Sequence, residues 1–398
     1  MLTELKYPDS FPNESEEQFL QLILSGDDAF SSLWKTWKQG VEFNDVDSAL
    51  LGLLPLLYLR LSVLEPDDDL LPKVRGVYKL VWFKNQRLLE AVRGVVELCT
   101  RESIPVIALK GVALLEHIYR NPGARFLGDG DILIRPEDML RVFSIMTSQG
   151  WRPVDRTIDL TNPSVVSGLD TVTHAIAFVD GRGREIEVHW HVFHIDTSKD
   201  LFRLIFLRNA ASVPETSVYW TRSVPLSIKG APCRQLSCED MLIHIIVHGS
   251  EGNTYRPVRW VADAVHLIRK ETIDWSAVAT YAIEGGHVIA VGVGLRYLAE
   301  RFAVEVPESC FSKLTAVPLS QDAIAKYYRT AGIVLPPLGN FPLLWYRYFK
   351  LEAQGSFVAR LSSFPEYLAH AWGLPGKESI PSFILGKYRS RLTRWFAR

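Results

Sequence analysis

The chain has 398 residues, 47% of them hydrophobic and 22% charged, with a formal net charge of −1. That length and balance fit two or three globular domains, and near-neutrality excludes a chain coated in positive charge for nucleic acid. The four cysteines, Cys99, Cys233, Cys238 and Cys310, include no C-x-x-C pair and are too few for a disulfide framework, so free thiols in a reducing compartment are expected.

Residues 1–100 read as an N-terminal helical region. The start, "MLTELKYPDSFPNESEEQ", has no basic stretch leading into an apolar core, and "ALLGLLPLLYLRL" is too short for a bilayer span and carries Pro55 and Arg60. A cytoplasmic protein with no transmembrane segment is expected. Ser15 and Gln18 have capping-box spacing at the head of "SEEQFLQLIL". "DVDSALLGLLPLLYLRL" and "VRGVYKLVWFKNQRLLEAVRGVVELC" carry apolar positions at helical spacing, with "PDDD" at 66–69 as the loop between them.

The texture changes over residues 101–200. "IPVIAL" predicts a buried strand, "KGVALLEHIYR" a helix starting near Gly111, and "NPGAR" a turn. "FLGDGDILI" predicts a second strand. "RPEDMLRVFSIMTSQGW" predicts a helix with Pro136 in its first turn and Gly150 past its end. "HAIAFVD" and "REIEVHWHVF" predict two strands around "GRG". The core is therefore β-α-β-α-β-β with a mixed sheet, an α+β protein flanked by helical regions. Residues 201–398 read as mainly helical, with "VLPPLGNFP" at 334–342 as a break. The tail, with Lys387, Arg389, Arg391, Arg394 and Arg398 among aromatics, fits a docked terminal helix with a solvated basic face better than a membrane or RNA contact.

Side chains alternate faces along a strand, so Asp129 and Asp131 point the same way, with Gly130 opposite. On "REIEVHWHVF", Glu185, Glu187, His189 and His191 share one face, and Ile186, Val188, Trp190 and Val192 the other. If the two strands are neighbours, Glu187 lies beside the Asp pair, and three converging carboxylates repel unless a divalent cation neutralises them. An all-oxygen set favours Mg²⁺ or Mn²⁺, with water and substrate phosphates completing the shell. Asp-Gly-Asp alone is mostly a turn signal. The apolar "ILI" after it, the Gly-started helix upstream and the second carboxylate strand downstream favour a metal site. Lys110 and Gly111 stand where a strand becomes a helix, a place where backbone N–H groups face a phosphate, although Lys-Gly there usually marks only a turn.

The order "ALKGVALLEHIY…R…GDGDILI…GW…EIEVHWH", over about residues 104–194, resembles the bacterial nucleotidyltransferase families of the polymerase β-like superfamily. It looks most like a poorly characterised branch with Lys-Gly at the helix start. The resemblance implies Asp129, Asp131 and Glu187 as Mg²⁺ ligands and catalytic carboxylates, with Lys110 and Gly111 in the place of the usual phosphate-binding Gly-Ser. The Ser is absent here and a Lys precedes the Gly.

Arg125 fits either a triphosphate contact or an arginine that orients the Asp pair. His-x-His on a strand can bind zinc, but a third ligand at suitable spacing is missing, so His189 and His191 are expected to line the active face or hydrogen-bond the carboxylates. His244 and His248 lack the Glu of a zinc protease and fit packed histidines. Arg259 and Asp263, at i and i+4, fit a surface ion pair, with a cleft pair as the alternative.

The expected function is transfer of a nucleoside monophosphate from an NTP to a hydroxyl or similar acceptor with release of pyrophosphate. Two alternatives stand beside it: a catalytically silent nucleotide-binding scaffold, and a phosphotransferase moving the γ-phosphate, the last without the Gly-rich loop and H-R-D motif of kinases. The charge favours a small molecule, peptide or protein acceptor over tRNA, and no stable nucleic-acid partner is expected.

Overall fold

The computed structural model describes residues 2–40, 43, 48–155, 158, 160–170, 173–193, 216–250, 258–331, 348, 356–371 and 374–384. The Pro-rich stretch at 334–342 and the basic tail beyond residue 384 lie outside the described residues. Among the described residues no helix is long and apolar enough to cross a membrane.

The protein is α+β. Strands β1 (Ile107–Ala108), β2 (Gly130–Leu133), β3 (Arg152–Pro153), β4 (Ala175–Val179), β5 (Glu185–His189), β6 (Val224–Ile228) and β7 (Ala231–Gln235) form one mixed sheet in the order β3-β4-β5-β2-β1-β7-β6. β1 runs antiparallel to β2, with Ala108 opposite Ile132, and parallel to β7, with Ala108 opposite Gln235. The hairpin β6–β7 lies within the region that reads as helical in the sequence. Pro225 and Pro232 mask it, since proline cannot donate to a ladder and is tolerated mainly at edges; β6 is the edge strand. Its turn uses Lys229 and Gly230, both at positive φ (47° and 92°), the backbone of a tight hairpin.

The chain divides into two compact bodies, one of residues 1–134, 184–187 and 216–335, the other of 135–183, 188–215 and 336–398. In the first body the Leu71–Arg101 helix is the main support. Its buried Val74, Val81, Leu88, Leu89, Val92, Val95 and Val96 recur at helical spacing while Lys, Arg and Glu face outward. Asn85 interrupts this stripe, fully buried. Its Nδ2 donates to the carbonyls of Pro122 and Arg125 at 2.6 Å each, and its Oδ1 accepts from the Leu127 N–H at 3.1 Å. One side chain thus pins the turn that leads into Asp129. The same helix explains Gly130: a Cβ there would run into Val92.

Three helical segments differ from the sequence expectation. The first helix, Glu14–Leu24, is capped by Asn13 with Glu16 completing the box, not by Ser15 and Gln18. The run 45–61 breaks into Ser48–Leu51 and Leu54–Leu64, with Pro55 in the first turn of the second. The long pattern after Asp274 splits at Gly285-Gly286 into Trp275–Glu284 and Val288–Phe302, Gly286 sitting at φ +73°.

In the second body, Met139–Ser148 packs Phe143 against Phe178 and Trp190, all buried. Trp190 is core, as its strand parity predicts.

Candidate active site

The carboxylates of the first body gather around one lysine. Lys110 Nζ lies 2.7 Å from Asp131 Oδ1 and 3.2 Å from Glu187 Oε2. Its backbone sits at φ +44°, in the left-handed region that L-residues adopt at a cost of about 1–3 kcal/mol. That geometry ends β1 abruptly and starts the short helix Lys110–Leu114. Burial opposes the Lys110 charge, but Asp131 and Glu187 outweigh it and raise its pKa.

Asp129 stands just ahead of β2 and Asp131 is its second residue, 3% exposed. Burial, then the neighbouring Asp131, push Asp129 up to about 6, against the opposing pull of Lys110. Burial and then Glu187 also raise Glu185. Asp129, Asp131 and Glu187 therefore share the field of the Lys110 ammonium, Glu185 adds to their mutual repulsion, and the Arg125 and Arg259 charges reach Asp131 and Asp129.

Arg125 sits beside this cluster but is committed elsewhere. Its Nε and Nη2 donate to the two carboxylate oxygens of Asp263, each at 2.9 Å, a bidentate pair. Tyr119 Oη donates to the same carboxylate at 2.8 Å. Arg259 and Asp263 are thus not a surface pair. Asp263 is 4% exposed and faces Arg125, while Arg259 donates to the Phe126 carbonyl at 2.7 Å. Two adjacent guanidiniums share one carboxylate there, and burial with the Arg125 charge pulls the Arg259 pKa down.

Gly111 has a role that its position at the helix start does not announce. A Cβ at Gly111 would collide with Arg125 Nη1 and Leu127 Cδ2. Gly111→Ala is therefore expected to lift the guanidinium from its seat and destabilise by about 1–3 kcal/mol, the usual cost of overpacking. A thermal melt reads this directly; an unchanged midpoint would mean that Arg125 yields freely.

The two histidines part: a His189 ring nitrogen lies within 4.8 Å of carboxylate oxygens of Asp131 and Glu187, whereas His191 pairs with Asp170. His189, the last residue of β5, is fully buried, with its ring 5.3 Å from that of His174. His191 lies past the strand, also buried, with Nε2 2.9 Å from Asp170 Oδ1. His244 is buried on the Cys238–Ser250 helix, its ring 6.1 Å from that of His248.

Of the eight candidate residues, Lys110, Asp129, Asp131, Glu187 and His189 converge, Gly111 and Arg125 pack beside them, and His191 lies apart with Asp170. Sequence reasoning missed Asn85, Tyr119 and the Asp263 partnership. Asn85 left a signal, a polar residue at i+4 from Val81 and i−3 from Leu88 on an apolar stripe. The Asp263 partnership left none, since 138 residues separate it from Arg125.

Fold and cluster together define an α+β protein with a carboxylate-rich, lysine-bridged site on adjoining strands. Residues 49–303 match a family described as uncharacterised nucleotidyltransferase, and the chain belongs to that family. No curated protein sequence matches it. Among solved structures it is similar to an antigenic nucleotidyltransferase-like protein from Paracoccidioides brasiliensis, 14% identical over 59% of this chain and 95% of that one, with a TM-score of 0.31. That likeness is too distant to inform the site.

Proposed function

We propose that the chain is a Mg²⁺- or Mn²⁺-dependent nucleotidyltransferase that moves a nucleoside monophosphate from an NTP to a hydroxyl acceptor. The observation that carries this reading is the carboxylate cluster: Asp131 and Glu187 are bridged by Lys110, Asp129 and Glu185 crowd against them, and Asp129 is raised to about 6 by burial and its acidic neighbour. A carboxylate-dominated set fits a hard divalent cation, held by Asp129, Asp131 and Glu187 with the His189 ring beside them. When bound, such a cation offsets triphosphate charge and lowers the pKa of the attacking hydroxyl. Lys110 keeps Asp131 and Glu187 in register and adds positive charge beside the phosphates. Arg259, bonded only to a carbonyl and an aromatic face among the described residues, is free to meet a phosphate oxygen. The acceptor oxygen bonds to the α-phosphorus as the bond to pyrophosphate breaks, and Glu187 takes the acceptor's proton. A small molecule, peptide or protein hydroxyl suits the near-neutral chain better than tRNA.

A second reading has one observation in its favour. The Lys110 ammonium already bridges Asp131 and Glu187, as an internal cation would in a silent nucleotide binder. Calorimetry of each NTP with and without Mg²⁺, wild type against Asp129→Ala/Asp131→Ala, tests the site. Metal-dependent binding lost in the variant supports it; unchanged binding in the variant places the nucleotide elsewhere. Product mass then separates the readings: added nucleotide for the transferase, added phosphate for a phosphotransferase, nothing for the silent binder.

The raised Asp129 carries a pH dependence. The folded protein holds this proton more tightly than the unfolded chain, whose Asp titrates near ~3.9. Its stabilising contribution is therefore complete below pH ~4 and lost as pH rises through about 6. Cation binding has the opposite dependence, because the ligand must be ionised. Mg²⁺ affinity is expected to rise up to ~10-fold per pH unit below about 6 and to level off above it. Titration calorimetry across that range reads the slope; a flat profile would remove Asp129 from the ligand set.

A further inference from the structure

A second cluster lies in the same body, away from the carboxylates. His117 is on the wide turn Leu115–Tyr119 that continues the Lys110 helix, Cys238 opens the Cys238–Ser250 helix, and Glu271 follows the Arg259–Lys270 helix. One ligand atom from each lies within 4.8 Å of the other two. His117 Nε2 and Glu271 Oε1 are already 2.9 Å apart. Tetrahedral zinc with bonds near ~2.0–2.3 Å sets ligand atoms roughly 3.5 Å apart, so side-chain adjustments of about 1 Å suffice. All three residues are half-buried, close enough to the surface for an ion to enter.

An independent feature points to a ligand. Gln235 is 1% exposed, and its side-chain amide meets His117 Nδ1 at 2.8 Å. In that orientation its Oε1 is buried with no donor among the described residues. Turned over, the amide presents Oε1 to His117 Nδ1, which then carries the ring proton, and leaves the Nε2 lone pair aimed at Cys238 and Glu271. Fixing the tautomer through the far nitrogen is how metal-binding histidines are held.

The geometry points to a zinc site formed by His117, Cys238 and Glu271, with a fourth position open to water. Thiolate, imidazole and carboxylate together select Zn²⁺ over the hard cation of the carboxylate cluster. The ion would tie together the elements that carry Lys110, Arg259 and Asp263, and it does not depend on the transferase reading.

Cobalt(II) tests the site in the reduced full chain, because a thiolate–cobalt charge-transfer band reads only a cysteine ligand. One equivalent of Co²⁺ is expected to give the band, and Zn²⁺ to displace it. Cys238→Ser should abolish the band and Cys233→Ser should retain it. His117→Asn keeps every thiol and should weaken Co²⁺ binding by ~10–100-fold, which guards against a misfolded Cys238 variant. Absence of the band in the wild-type chain, or its survival in Cys238→Ser, would overturn the site. So would unchanged affinity in His117→Asn.

Discussion

Asp131→Asn is expected to lower metal-dependent nucleotidyl transfer by roughly 10²–10³-fold while leaving the fold in place, a loss of the size seen when one preorganised charge is removed from an active site. The substitution keeps the shape of a side chain that is 3% exposed, so packing changes little. It removes one carboxylate charge from the cluster and the nearest partner of Lys110, at 2.7 Å. Glu187 at 3.2 Å remains to hold the ammonium. Asp129 loses the charge that helps to raise it and should titrate closer to an ordinary aspartate. Two measurements separate chemistry from folding: transfer of label from an NTP, and the melting midpoint without metal. A large loss of transfer at a near-constant midpoint fits the proposed ligand role. Full transfer in the variant would mean that Asp131 serves only to hold Lys110.

The Asp pair was legible because period-2 parity is local. Asp129 and Asp131 share a face, and Gly130 between them turns out to be the slot for Val92. Glu187 could be placed on the right face of its strand by the same parity, but not beside Lys110, because that contact depends on strand order. The Lys110 position was legible as a strand–helix junction, whereas its φ of +44° and the direction of its side chain were not. His191 lies apart from His189 for a local reason: β5 ends at His189, so strand parity does not carry on to His191, which pairs with Asp170. The β6–β7 hairpin was hidden by Pro225 and Pro232, and only the Lys229-Gly230 turn hinted at it. The partners of Arg125 illustrate the remaining limit. At i and i+4, Arg259 and Asp263 suggest each other, yet the buried pairing runs to a residue far back in the chain, chosen by packing.

That pairing sets the other large effect. Asp263→Ala is expected to destabilise the protein by about 3–5 kcal/mol, because it leaves the Arg125 guanidinium buried without its carboxylate. Both Arg125 hydrogen bonds to Asp263 are 2.9 Å, the two side chains are 13% and 5% exposed, and Tyr119 Oη loses its acceptor as well. Arg259, already pulled down by burial and the Arg125 charge, would face a second guanidinium with no shared carboxylate. The loss comes from stranding a charge more than from the worth of the pair, so removing both charges should recover much of it. Arg125→Met/Asp263→Leu is accordingly expected to melt well above Asp263→Ala, with the double-mutant cycle giving the coupling. A double variant no more stable than Asp263→Ala would show that the pair contributes through its hydrogen-bond geometry, Tyr119 included. If the double variant regains stability but not Mg²⁺-dependent NTP binding, the guanidinium acts on the nucleotide. If it regains both, Arg125 is there to seat the turn above Gly111 that delivers Asp129 and Asp131.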